Sequence, residues 1–165
     1  MKKIIFTIPI LFFGFCTNAQ VRDFADTAIE NVRINKAVPN RLTLTADVVS
    51  KIEGNNASHN VKIIVLLPQA DIISYEAKTE TGVLLGCMPM RHTDASNVPH
   101  SYGGYIICEG ETLQRRNPAS PVPMQVMKLK VVTAKPPAGF PTNFGVMVYN
   151  LVPDFNMKNN FWTGN

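Results

Sequence analysis

The sequence predicts an all-β chain folded as an antiparallel sandwich of about seven short strands. Three observations lead there. Apolar and polar residues alternate with period two in several runs, and clusters of Pro, Gly and Asn separate those runs at short intervals. No window of helical length carries a convincing 3.6-residue period, residues 22–31 being the nearest approach. With 45% hydrophobic and 17% charged residues in 165, the composition is that of one globular domain, without the low-complexity tracts of a disordered chain.

Residues 41–48 place Leu42, Leu44, Ala46 and Val48 on one side of a half-buried strand. Asn55, Asn56 and Asn60 mark the turn that follows. Residues 61–67 are β-branched and nearly continuously apolar, as in a central strand, and Pro68 ends the run because it has no N–H for the ladder. Shorter strands follow at 72–78, 83–87 and 104–108. Residues 125–132 alternate again, with Met127, Leu129 and Val131 inward and Lys128 and Lys130 outward, and residues 144–149 form the last clear strand.

The first residues carry an address. Lys2 and Lys3 form a basic start, residues 4–15 an apolar stretch, and Thr17-Asn18-Ala19 a small-residue cleavage site, the pattern of a secretory signal peptide over residues 1–19. The stretch is too short for a membrane span and contains Pro9. A lipoprotein reading of Cys16 is opposed by bulky Phe15, which stands where that pathway needs a small residue. The mature chain then begins at Gln20, with residues 20–33 as a lead-in and 34–165 as the sandwich, and has no membrane span. Removing Lys2 and Lys3 from the 16 basic residues leaves 14 against 12 acidic, a net charge of +2 that does not point to nucleic acid.

Export decides how the cysteines are read. With Cys16 removed, Cys87 and Cys108 remain, and an isolated pair in an oxidising compartment is most simply a disulfide. A catalytic or redox role would need a thiol beside a base, or C-x-x-C spacing, and neither occurs.

The order of features resembles a bacterial family. Asn60-Val61-Lys62-Ile63-Ile64-Val65-Leu66-Leu67-Pro68, Ile73-Ser74-Tyr75, Cys87, Cys108 with Glu109-Gly110-Glu111-Thr112-Leu113, and Val152-Pro153-Asp154-Phe155-Asn156 continuing to Asn160 are similar to the repeat called domain of unknown function eleven. That module and the related cell-adhesion-related bacterial domain are immunoglobulin-like sandwiches of surface and secreted proteins. The resemblance implies an adhesion or scaffold module without chemistry of its own. The family commonly occurs in tandem, whereas this chain holds no internal repeat.

Candidate sites are few. Met88, Met90, His92 and His100 gather soft and borderline ligands that copper or zinc would accept, yet their spacing matches no established metal site, so a plain loop is expected and no cofactor. Asp154, Asn156, Asn159 and Asn160 suggest calcium, but Lys158 stands where an EF-type loop needs an oxygen ligand, so a turn held by Asx hydrogen bonds is expected instead. There is no G-x-S-x-G elbow, and Ser101 beside His100 is adjacency without a triad, so no enzyme is expected. Arg115 and Arg116 read as an exposed turn, with anionic-ligand binding as the sharper alternative. Phe155, Phe161 and Trp162 are expected to be buried by the closing strand; any left exposed would offer an aromatic anchor for a protein or a sugar. The functional expectation is a secreted or surface-associated module for adhesion, scaffolding or protein or glycan contacts, with an exported small-ligand or metal-binding (copper or zinc) protein using Met88, Met90, His92 and His100 as the alternative.

Overall fold

The computed structural model describes residues 24–91, 103–110, 112–114, 119 and 125–165. Among them nine strands form a four-stranded and a five-stranded sheet. The first contains β1 (Thr27–Asn35), β2 (Arg41–Ser50), β4 (Ile72–Thr79) and β7 (Val126–Ala134), in the order β1-β2-β7-β4. The second contains β3 (Lys62–Leu67), β5 (Gly86–Arg91), β6 (Gly104–Glu109), β8 (Phe144–Tyr149) and β9 (Phe161–Gly164), in the order β5-β6-β3-β8-β9. Every strand pairing is antiparallel. The expected sandwich is therefore observed, with nine strands where about seven were expected.

One core lies between the sheets. Leu42, Leu44, Ala46 and Val48 of β2 and Leu129 and Val131 of β7 face Val61, Ile63 and Val65, Ile106 and Cys108 of β6, and Phe144, Val146 and Val148 of β8. These are the inward positions that period-two reading assigns to 41–48 and 125–132. Cys87 and Cys108 are register partners on β5 and β6 and are joined by a disulfide. The bridge closes within one sheet, unlike the inter-sheet bridge of antibody domains.

Two readings are corrected, and one that the residues left open, whether 20–33 join the sandwich, is decided in part. Residues 27–31 of the near-helical stretch lie in β1: Ile29 opposes Val48 and Ile34 opposes Leu44, so the six residues 29–34 of β1 run beside the five residues 44–48 of β2. A bulge between Glu30 and Arg33 accommodates the extra residue, with Asn31 at φ 52°. The bulge breaks strict alternation and produces the misleading spacing. β1 also crosses the boundary placed before Ile34, so part of the lead-in is a sheet strand. Finally, the strand read at 83–87 starts only at Gly86 and runs on through Met88-Pro89-Met90, while Val83 and Leu84 are exposed outside it. β5 is an edge strand, where a proline costs little because one side of the ladder is unpaired.

Candidate functional site: the outer face of the five-stranded sheet

Residues alternate across a strand, so burial of Ile63 and Val65 turns Ile64 and Leu66 to the opposite side of the sheet. The register then carries a row across all five strands. Met88 opposes Ile107, Ile107 opposes Ile64, Ile64 opposes Met147, and Met147 opposes Phe161. The row is apolar from edge to edge. Met88 is 64% and Phe161 50% exposed, while the three central side chains are half-buried by their neighbours.

The adjacent row runs Met90, Tyr105, Leu66, Gly145, Thr163. A Cβ at residue 145 would come within 2.9 Å of Leu66 Cδ1, so the glycine lets Leu66 lie across its neighbour and keeps this part of the face level. On the other side of the apolar row, Glu109 opposes Lys62 and Lys62 opposes Tyr149. Lys62 Nζ and Glu109 Oε1 are 2.8 Å apart, an exposed ion pair that leaves this border without net charge. Contiguous exposed apolar surface of this kind is the feature of a soluble domain that asks for an explanation.

The other sheet presents a different outer face. Glu30, Asp47, Lys128 and Lys78 form one registered row, and Arg33, Thr45, Lys130 and Glu76 the next. Lys78 lies 2.7 Å from Glu76, Lys51 lies 2.9 Å from Glu30, and Asn31 Nδ2 donates to Asp47 Oδ2 at 2.8 Å. The Lys78 ammonium holds the Glu76 carboxyl below its ordinary range. A shallow groove over this face is lined by these mixed charges, the usual condition of a solvated sheet surface.

Sheet edges are a second place where chains meet, and here all four are blunted. β5 carries Pro89, β1 and β4 carry register shifts at Glu30/Arg33 and Ile72/Ser74, and β9 has only four residues. The accessible apolar surface thus lies on a face rather than along an edge.

The sequence-predicted residues fall in several places. Met88 and Met90 sit on the outer face of β5, where their cross-strand partners are Ile107 and Tyr105. His92, His100, Arg115, Arg116 and the signal-peptide region with Cys16 lie outside the described residues. Among the described residues, no three His, Cys, Asp or Glu side chains gather as a metal site would require, and no helix is long and apolar enough to cross a membrane. Of the three aromatics expected to be buried, only Trp162 packs against the core. Phe161 is on the apolar face, and Phe155, 61% exposed, stacks on Phe24 with ring centroids 5.1 Å apart. The short β9 alternates its side chains across the sheet and so can bury only one of its two aromatics.

The Asx reading of the 154–160 segment holds. Asp154 Oδ1 accepts from Asn156 N at 2.9 Å and Asn156 Oδ1 from Lys158 N at 3.3 Å, capping a 3-10 turn over Met157–Asn159. Asp154 Oδ2 accepts from Thr27 N at 3.0 Å, which anchors the start of β1 to this turn. Beside it, Thr27 and Ser58 share a 2.8 Å hydroxyl contact, Ser58 donates to Ser50 at 2.9 Å, and Asn159 Nδ2 donates to Asp26 Oδ1 at 2.8 Å. Asp26 is buried, and desolvation, with lesser repulsion from Asp154 and Glu53, raises its carboxyl above its ordinary value against the Asn159 hydrogen bond. This end of the sandwich is a fastening of β1, which sequence reading did not anticipate because its partners are up to 133 residues apart.

No family model and no curated protein matches the chain. Among solved structures it is similar to one described as "AvmM Catalyzes Macrocyclization in Alchivemycin A Biosynthesis", at 12% identity over 87% of each chain with a TM-score of 0.33. A likeness that distant carries no argument about activity.

Proposed function

We propose that the chain is an exported, non-catalytic immunoglobulin-like module that works at the cell surface by binding protein. The observation that supports this most directly is the apolar row crossing the outer face of the five-stranded sheet from Met88 to Phe161. Met, Ile and Leu side chains have no donors or acceptors to recognise a sugar, but they match the apolar centre of a protein interface. Export is supported by the pattern of residues 1–19 and by the Cys87–Cys108 bridge, which persists in oxidising compartments. The resemblance to bacterial surface modules points the same way.

The test is the binding of labelled, oxidised protein to the surface of the cells that encode it. Wild type is expected to bind saturably. Ile64→Lys, which puts an ammonium in the middle of the row, is expected to lose about tenfold in affinity or more. Lys130→Ala on the opposite face is expected to bind like wild type. Equal binding by all three proteins would remove the apolar face from the function.

A further inference from the structure

The apolar face must be covered by something, and three properties of the face say what. The first is its extent. Five strands about 4.8 Å apart, four of them contributing three outward positions about 6.8 Å apart and β9 two, make a patch on the order of 20 Å by 15–20 Å. With the relief of its side chains, such a patch approaches the roughly 800 Å² per partner of a standard stable interface. The second is its charge. The only ionised side chains in its three rows are Lys62 and Glu109, adjacent and of opposite sign. Excess charge on a surface that meets its own copy across a two-fold axis would face itself and oppose pairing, and the three rows of this face carry none. The third is its form. It is a sheet surface made level by Gly145, and apolar sheet faces pack on one another, generally about 10 Å apart. The blunted edges oppose the competing mode, growth of the sheet by strand addition.

We infer that the outer face of the five-stranded sheet pairs with the same face of a second copy of this chain, forming a two-fold dimer whose centre is the row through Ile107, Ile64 and Met147. The inference rests on the reading of the chain as a protein-binding module and names the partner. A membrane is the poorer occupant, because the basic side chains that border the face among the described residues are paired: Lys62 with Glu109, and Arg91 with Asp71 at 3.1 Å.

The experiment is sedimentation velocity on the purified, oxidised chain from about 1 µM to about 100 µM, a range that brackets a micromolar dissociation constant. The mass is expected to rise from one chain to two. Ile64→Lys is expected to raise the dissociation constant at least about tenfold. Phe161→Glu, on an exposed side chain of an edge strand, repeats the test should Ile64→Lys fail to fold. Lys130→Glu on the opposite sheet is expected to dimerise like wild type. A single-chain mass throughout the range overturns the inference, as does a dimer insensitive to Ile64→Lys and Phe161→Glu. The two readings fail separately: a monomer whose binding to cells is still lost in Ile64→Lys overturns the dimer and leaves the module reading standing. Loss of sensitivity in both assays removes both.

Discussion

The two outer faces of the sandwich have the same backbone geometry and opposite chemistry. Over β1, β2, β7 and β4, one registered row is Glu30, Asp47, Lys128, Lys78; over the other sheet, the corresponding row is Met88, Ile107, Ile64, Met147, Phe161. Both sheets turn their other faces to one shared core, so burial within the chain cannot account for the difference. A sheet that needed only to fold would be apolar inside and polar outside, as the four-stranded sheet is. The additional apolar face of the five-stranded sheet therefore belongs to something other than the stability of the isolated chain.

The largest effect that sharpens this contrast lies between neighbours on β3. Ile63→Ala removes methyl groups from the core and is expected to cost about 2–5 kcal/mol, as is Leu44→Ala on the opposing sheet. Ile64→Ala, one residue away and pointing outward, is expected to cost well under about 1 kcal/mol in the monomer, as outward-facing substitutions do. Urea unfolding midpoints at low protein concentration measure both. If Ile64→Ala were as costly as Ile63→Ala, the outer face would be part of the chain's own core and the contrast between the faces would break.

A smaller effect comes from the bridge that secures one side of the apolar face. Closing the loop between Cys87 and Cys108, 21 positions apart in sequence, stabilises the fold by about 3 kcal/mol on the chain-entropy model. Reduction, or the Cys87→Ser and Cys108→Ser pair, is expected to lower the melting temperature accordingly. It is also expected to raise hydrogen exchange in β5 and β6 before β2 and β7, since only the five-stranded sheet contains the bridge. Uniform exchange across both sheets would deny the bridge that local role.

The smallest effect compares a carboxylate on the charged face with one inside. Glu76 is held below its ordinary value by Lys78, whereas desolvation raises Asp26 above its own, near 3.8. A carboxyl whose value is raised on folding favours the folded state fully below its unfolded value, and that advantage is lost as pH rises through the folded value. Asp26→Asn retains an acceptor for Asn159 and has no charge to bury, so it is expected to gain stability relative to wild type between acid and neutral pH. Parallel stability–pH curves for the two proteins would show that Asp26 titrates as it does in the unfolded chain.

Much of this architecture was legible in the residues. Strict alternation at 41–48 and 125–132 assigned the inward positions of β2 and β7 correctly, because one face of that sheet is polar and the period stands out. The apolar face also had a signal: residues 61–67 are almost continuously apolar, which means a strand apolar on both sides. That pattern ordinarily marks a strand buried on both sides, and β3 is indeed the central strand of its sheet. What one strand could not convey is that none of the described strands packs over its outward side. Met88 and Met90 were singled out as soft metal ligands, but their neighbours across the ladder are Ile107 and Tyr105, which local spacing does not contain. β1 was hidden by its bulge, and the fastening of Thr27 by Asp154 joins residues 127 apart.

By itself the sequence determined the all-β class, the inward residues of the alternating strands, the cysteine pair and the Asx turn at 154–156, since each depends on period, composition or contacts within a few residues. Only the tertiary structure decided that Met88, Ile107, Ile64, Met147 and Phe161 stand in one line. Their alignment is set by four separate strand registers, and a shift of one residue in any of them would turn that strand's apolar set to the opposite face. Register is a property of strand pairs, and pairs distant in the chain are chosen by the core they jointly bury.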